Sequence, residues 1–129
     1  MAFVDASAMI AGEPEADDLA DRLERRQPRL RSALSIRETV AGLHRAYHFV
    51  SGAARATVAS FVALNGLRVV VIGVAESDVA LEAYAAFGEG RHPAALNLGD
   101  CFAYACARVN RVTLLWKRND FLHTDIGIA

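Results

Sequence analysis

The chain has 129 residues, 53% of them hydrophobic and 22% charged, with 15 acidic against 14 basic side chains and a net charge of −1. This length and apolar fraction suit one domain, 1–129, with a buried core, and exclude a disordered chain. Near-neutral charge excludes binding to nucleic acid through overall basicity, so any basic surface has to be local.

Phe3-Val4 reads as a brief first strand ending at Asp5. Ala6 to Ala11 begins a helix with Asp5 or Ser7 near its N-cap. Gly12-Glu13-Pro14 breaks the pattern, and a second helix is expected from Glu15 to about Arg26, with an acidic start and a basic end that match the macrodipole. Leu30 to Leu34 is a second strand. Ser35 stands three residues before Glu38, the spacing of a capping box, which predicts a helix from Ile36 to about Phe49. After the Ser51-Gly52 turn, Ala53 to Leu64 is helical, and Asn65-Gly66 is a turn. Leu67 to Ile72 is β-branched and flanked by glycine, the strongest strand signal in the chain. Val74 to Phe87 is helical, Gly88 to Pro93 is a loop, and Leu98 to Val109 is a helix with an apolar face. Val112 to Trp116 is a further strand, Asn119 to Leu122 one helical turn, and Thr124 to Ile128 a final edge strand. Strands alternating with helices predict an α/β domain with a mainly parallel central sheet.

No uncharged apolar run approaches the ~20 residues of a bilayer span. The first residues lack the basic and apolar regions of a signal peptide, so the expectation is a cytoplasmic protein with no membrane partner. Cys101 and Cys106 point ~140° apart on their helix and are expected as buried free thiols.

Ten of the 15 acids lie in stretches that read as solvated, Glu76 and Glu89 among them. Five stand at element junctions or among apolar neighbours: Asp5, Glu38, Asp100, Asp120 and Asp125. The first four share the edge where strands end and helices begin, which is where sites form in open parallel sheets. Carboxylates gathered there repel one another unless a cation joins them. Oxygen-only ligands favour Mg²⁺ or Mn²⁺, and the matching chemistry is hydrolysis of a nucleic-acid backbone. Each acid also has a local explanation. Asp5 is placed to cap a helix, Glu38 to complete a capping box with Ser35, Asp100 to sit in a first helical turn, and Asp120 to form a turn. The conjunction of four, from four separate segments, favours a site.

Arg91 and His92 in their loop, and Lys117 and Arg118 beside Asp120 in the sequence, are candidates for phosphate contact. A solvated loop explains the first pair equally well, and a salt bridge explains the second nearly as well. The basic run Arg22, Arg25, Arg26, Arg29 and Arg31 reads as a solvated face. His44 and His48 have ligand spacing but no third partner nearby, and read as surface residues. Leu19, Leu23, Leu43, Tyr47, Phe49 and Phe61 lie on predicted helices and most are expected in the core, although an apolar groove for a partner helix would use the same residue types.

Four segments, in order, carry a resemblance to a known family. They are Phe3-Val4-Asp5-Ala6-Ser7-Ala8, then Ser35-Ile36-Arg37-Glu38-Thr39, then Leu96-Asn97-Leu98-Gly99-Asp100-Cys101-Phe102, then Leu114-Leu115-Trp116-Lys117-Arg118-Asn119-Asp120-Phe121 with Thr124-Asp125-Ile126. Together they resemble the PIN-domain family, specifically the VapC-like toxins of toxin–antitoxin pairs. The resemblance implies a three-layer α/β/α domain and a Mg²⁺- or Mn²⁺-dependent endoribonuclease. It further implies inhibition by a cognate antitoxin, RNA as the substrate, and a homodimer. By motif position it makes Asp5, Glu38 and Asp100 metal ligands, with Asp120 as the fourth acid and Asp125 as its competitor. Ser7 and Asn97 would orient carboxylates or water. Arg118 stands where the family often has glycine.

A phosphoacceptor receiver domain would need adjacent acids after its first strand and an acceptor acid after Val69-Val70-Val71-Ile72, and neither is present. A nucleotide-binding module would need a glycine-rich phosphate loop after a strand, also absent. The remaining alternative is a catalytically degenerate PIN protein that only binds RNA or protein.

Overall fold

The computed structural model describes residues 2–4, 29–48, 50–90, 92–115 and 124–125. Among them the elements run β1 (Ala2–Val4), β2 (Arg29–Ser32), α1 (Ala33–Tyr47), α2 (Ser51–Leu64), β3 (Leu67–Val70), α3 (Val74–Phe87), α4 (Leu98–Val109) and β4 (Thr113–Leu115). The four strands form one parallel sheet in the order β3-β2-β1-β4. The α/β class and the parallel sheet are as expected. The helices expected within residues 6–26 and the turn at 119–122 lie outside the described residues. Thr124 and Asp125 form a bend rather than the start of a strand.

Register explains the main core. Leu30, Phe3 and Leu114 are aligned across β2, β1 and β4, so their side chains share one face of the sheet. All three are buried, and α3 and α4 cover them through Ala80, Ala83, Cys101, Ala105 and Cys106. Small residues on both helices let the backbones approach the sheet closely. A second, smaller core joins α1 to α2 through Leu43, Ala54 and Val58. Tyr47, expected in the core, is instead half exposed near the end of α1.

α1 starts three residues earlier than its predicted beginning, because the capping box is made by a different pair. The Ser35 backbone N–H donates to Ser32 Oγ at 3.1 Å, and the Ser32 N–H donates to Ser35 Oγ at 2.9 Å. Two serines three residues apart satisfy both orphan donors, which leaves no cap for Glu38 to complete.

The reading of the basic run as a solvated face fails at Arg31. Strand alternation turns Arg31 to the sheet face opposite Leu30, where it is fully buried. Burial pushes its pKa down to about 10, so it stays a cation at neutral pH. Arg29 is half-buried, and its guanidinium donates to the Asn65 carbonyl that follows α2.

The segment with the strongest strand signal becomes an edge of the sheet among the described residues, with Val69 52% and Val71 79% exposed. β-branched residues favour extended backbone whether or not they are buried, so the signal reported conformation rather than position.

Cys101 and Cys106 are buried free thiols, as expected. Burial, reinforced at Cys101 by the Asp100 charge and at Cys106 by the Glu76 charge, pushes both to about 11. Because the thiolate is the reactive form, the folded protein is expected to resist Ellman's reagent at pH 8, with two thiols reacting after denaturation. Rapid labelling of the folded protein would contradict the packing of α4.

Candidate active site

In the order β3-β2-β1-β4, the chain leaves β1 toward β2 and β3 on one side and returns to place β4 on the other. The reversal puts a crevice beyond the carboxyl ends of β1 and β4. Val4 and Leu115, the last residues of those strands, are direct sheet partners. The carboxyl ends of β1 and β4 therefore lie side by side at this edge, about 4.8 Å apart. Asp5, Ser7, Arg91, Lys117, Arg118 and Asp120 themselves lie outside the described residues.

Two helices bring acids to the same edge. α1 follows β2 directly, so its N-terminal half begins at the carboxyl edge, and Glu38 lies in its second turn. α4 precedes β4 and runs antiparallel to it, so its N-terminus also lies at that edge, and Asp100 is in its first turn.

Asp100 is only 4% exposed. It is half of a true capping box, its Oδ2 accepting from the Asn97 N–H at 3.0 Å while its own N–H donates to Asn97 Oδ1 at 2.9 Å. The local explanation of Asp100 therefore holds as far as it goes. A carboxylate has about four lone-pair sites, so a capping bond does not by itself account for all of them.

Glu38 meets this turn at Gly99. A methyl group at Gly99 would stand 3.4 Å from each of Glu38 Cγ, Cδ and Oε2. The bare glycine is thus a cradle against which the Glu38 side chain lies, one residue from Asp100. Among the described residues nothing else fixes Glu38 strongly. Its ion pair with Arg37 is long, 3.5 Å, and joins two partly or largely exposed groups. Sequence reasoning singled out Asn97 and Asp100 but passed over Gly99. The signal was there, a glycine in the first turn of a helix otherwise rich in good helix formers.

The remaining predicted residues fall into two sets. His92 Nδ1 accepts from the Ala94 N–H at 3.1 Å, and its ring meets Phe87 edge-on at 5.2 Å, so the imidazole helps to shape its own loop. Asp125 lies against the middle of α4. Its Oδ1 accepts from the Tyr104 hydroxyl at 2.5 Å and its Oδ2 from Arg108 at 3.0 Å. The Tyr104 hydroxyl is the largest influence holding the Asp125 carboxyl below the usual range. Among the acids read as solvated, Glu76 is partly buried and its Oε2 caps α3 at the Gly73 N–H.

Among the described residues no group of three or more His, Cys, Asp and Glu gathers as a metal cluster, since only Glu38 and Asp100 of the four predicted acids are described. An apolar hollow of about 270 Å³ beside Leu81, Leu98 and Phe102 has few polar groups and does not suit phosphate. Among the described residues no helix is long and apolar enough to cross a membrane.

The family model described as the PIN domain matches residues 2–127. A VapC ribonuclease of Rhizobium meliloti (strain 1021) is 39% identical, the match covering 98% of this chain and all of the relative. Ribonuclease VapC30 of Mycobacterium tuberculosis is 34% identical over 93% of this chain and 89% of its own length. Among solved structures, the sarcin-ricin-loop-cleaving toxin VapC20 of Mycobacterium tuberculosis aligns with a TM-score of 0.75 at 17% identity, covering 100% of this chain and 98% of that one. A toxin–antitoxin complex from Klebsiella pneumoniae aligns with a TM-score of 0.70 at 19% identity, covering 100% and 97%.

Proposed function

This chain belongs to the PIN-domain family, and on that premise we propose that it is a divalent-metal-dependent endoribonuclease, the toxin of a toxin–antitoxin pair. The observation that carries the reading is the Glu38 carboxylate laid across Gly99 beside the buried Asp100, at the edge where the chain also leaves β1 and β4. The donor set is carboxylate oxygen from separate segments, which fits Mg²⁺ or Mn²⁺. Asp5, Glu38, Asp100 and Asp120 would hold the ion.

When bound, such an ion neutralises charge on the phosphodiester oxygens and makes water a better nucleophile at neutral pH. The chain's own groups do the rest. Asn97 holds the Asp100 backbone and carboxylate in one geometry through the capping box, so Asp100 needs no reorganisation. Gly99 gives Glu38 its place. Ser7 would support the acids, while Arg91, Lys117 and Arg118 would engage RNA phosphates. His92 contributes by shaping its own loop. Single-stranded or looped RNA suits this site, because unstacked segments can enter a crevice. A cognate antitoxin and a homodimer complete the reading.

The test is cleavage of a mixed RNA pool by purified protein with Mn²⁺ or Mg²⁺. Cleavage is expected to stop in excess chelator and to return when the metal is restored. Equal cleavage with and without chelator would overturn the mechanism.

A further inference from the structure

We propose that Tyr104 and Arg108 are positioning residues that clamp the end of the chain onto α4, and that Asp125 is the clamped group rather than a metal ligand. The inference rests on the acid-site reading above and deepens it.

Asp100, Tyr104 and Arg108 are spaced i, i+4 and i+8 on α4, so they form one stripe, with Tyr104 about 6 Å and Arg108 about 12 Å along the axis from Asp100. Tyr104 is buried, its ring tilted against Phe87 at 5.9 Å. Its hydroxyl donates to one oxygen of Asp125, and Arg108 donates to the other. The Arg108 guanidinium also lies 5.8 Å from the centre of the Tyr104 ring, so the two donors brace each other. Each oxygen of Asp125 thus faces a donor, and one donor is a cation, which is the wrong neighbour for a group that binds Mg²⁺.

The clamp has a consequence for Asp120. The stretch from Leu115 to Asp125 is tied at both ends, to β1 through the Leu115–Val4 pairing and to α4 through the Asp125 contacts. Those two elements lead to Asp5 and carry Asp100. Five residues reach at most ~17 Å, so fixing residue 125 bounds the distance of Asp120 from Asp125 as well as from Leu115. Free of the clamp, Asp120 would sample a larger volume, and the fourth acid would meet the ion less often.

The experiment uses Tyr104→Phe, which removes one hydroxyl from a packed ring, Asp125→Asn, which keeps the shape, and the double variant. Hydrogen exchange of the peptide spanning residues 116–129 is expected to be about tenfold faster in each, with the amides of α4 unchanged. Mn²⁺ affinity, measured directly on the protein, is expected to fall by about tenfold in each single variant, and no further in the double. RNA cleavage should recover at saturating Mn²⁺, a recovery that general unfolding would not allow. Wild-type exchange in Tyr104→Phe would overturn the clamp. Loss of Mn²⁺ binding in Asp125→Asn alone, with Tyr104→Phe unaffected, would make Asp125 a ligand and also overturn it. If the wild-type protein neither binds Mn²⁺ nor cuts RNA, the ribonuclease reading fails, and the exchange comparison still decides the clamp.

Discussion

Replacing Glu38 by Gln is expected to lower metal-dependent RNA cleavage by more than about a hundredfold, beyond what losing a group that merely supports a ligand costs, while the melting temperature stays within a degree or so of wild type. The separation of the two effects is the point. Glu38 completes no cap, because Ser32 and Ser35 satisfy the start of α1 between them. Among the described residues its ion pair is with Arg37, which is long and open to solvent, and such pairs contribute little to stability. Among the described residues the carboxylate therefore has no structural duty that Gln would disturb. Asp100→Asn should behave differently. It removes a charge from the N-terminal turn of α4 and weakens a buried capping bond, so stability should fall by about 1 kcal/mol together with the activity. That corresponds to a few degrees in melting temperature for a domain of this size. Thermal melts and chelator-controlled cleavage assays on the two variants distinguish a site from a pair of caps. Full cleavage by Glu38→Gln would remove Glu38 from the site.

How much of this was legible beforehand differs by level. α3 and α4 begin and end where periodicity put them, because Gly73 and Asn97 are unambiguous starts and the apolar patterns are long. The start of α1 was misplaced because two overlapping capping spacings, Ser32 to Ser35 and Ser35 to Glu38, are both present in the sequence. Only the three-dimensional end of β2 selects the first. The buried state of Arg31 was illegible for a different reason. A charged residue inside a run of arginines looks solvated, and only the pleat of β2 reveals which face it takes. The edge at which Glu38 and Asp100 come together was legible from topology alone, since strands followed by helices open on one edge of a parallel sheet. Glu38 and Asp100 meet that rule in space, through helices rather than strands. Gly99 was legible as a glycine out of place in a first helical turn, but its role was not, because the Glu38 side chain that lies against it comes from a distant segment. What separates Asp125 from Asp120 was hidden for the same kind of reason. The donors that occupy Asp125 lie 17 and 21 residues away in sequence.

The cradle at Gly99 carries the second large expectation, and it has a sign that propensity alone would not give. Gly99 has no left-handed backbone angle, so alanine is conformationally acceptable there. In a helix, alanine in place of glycine is worth up to about 1 kcal/mol. The added methyl would stand 3.4 Å from three atoms of Glu38, which is close contact without overlap. Gly99→Ala is thus expected to melt at or slightly above the wild-type temperature and to keep most of its cleavage activity. Valine extends a further bond length, about 1.5 Å, beyond that methyl, and its stiff branched rotamers leave little room to turn away from Glu38. Gly99→Val should therefore push the Glu38 carboxylate off the first turn of α4. Cleavage should fall by about a hundredfold and Mn²⁺ affinity by tenfold or more, whereas the loss of helix propensity relative to alanine is only about 0.5 kcal/mol. A folded Gly99→Val protein with wild-type cleavage would show that Glu38 does not act from this cradle. A graded loss from glycine through alanine to valine, at nearly constant stability, would identify the missing side chain as part of the site.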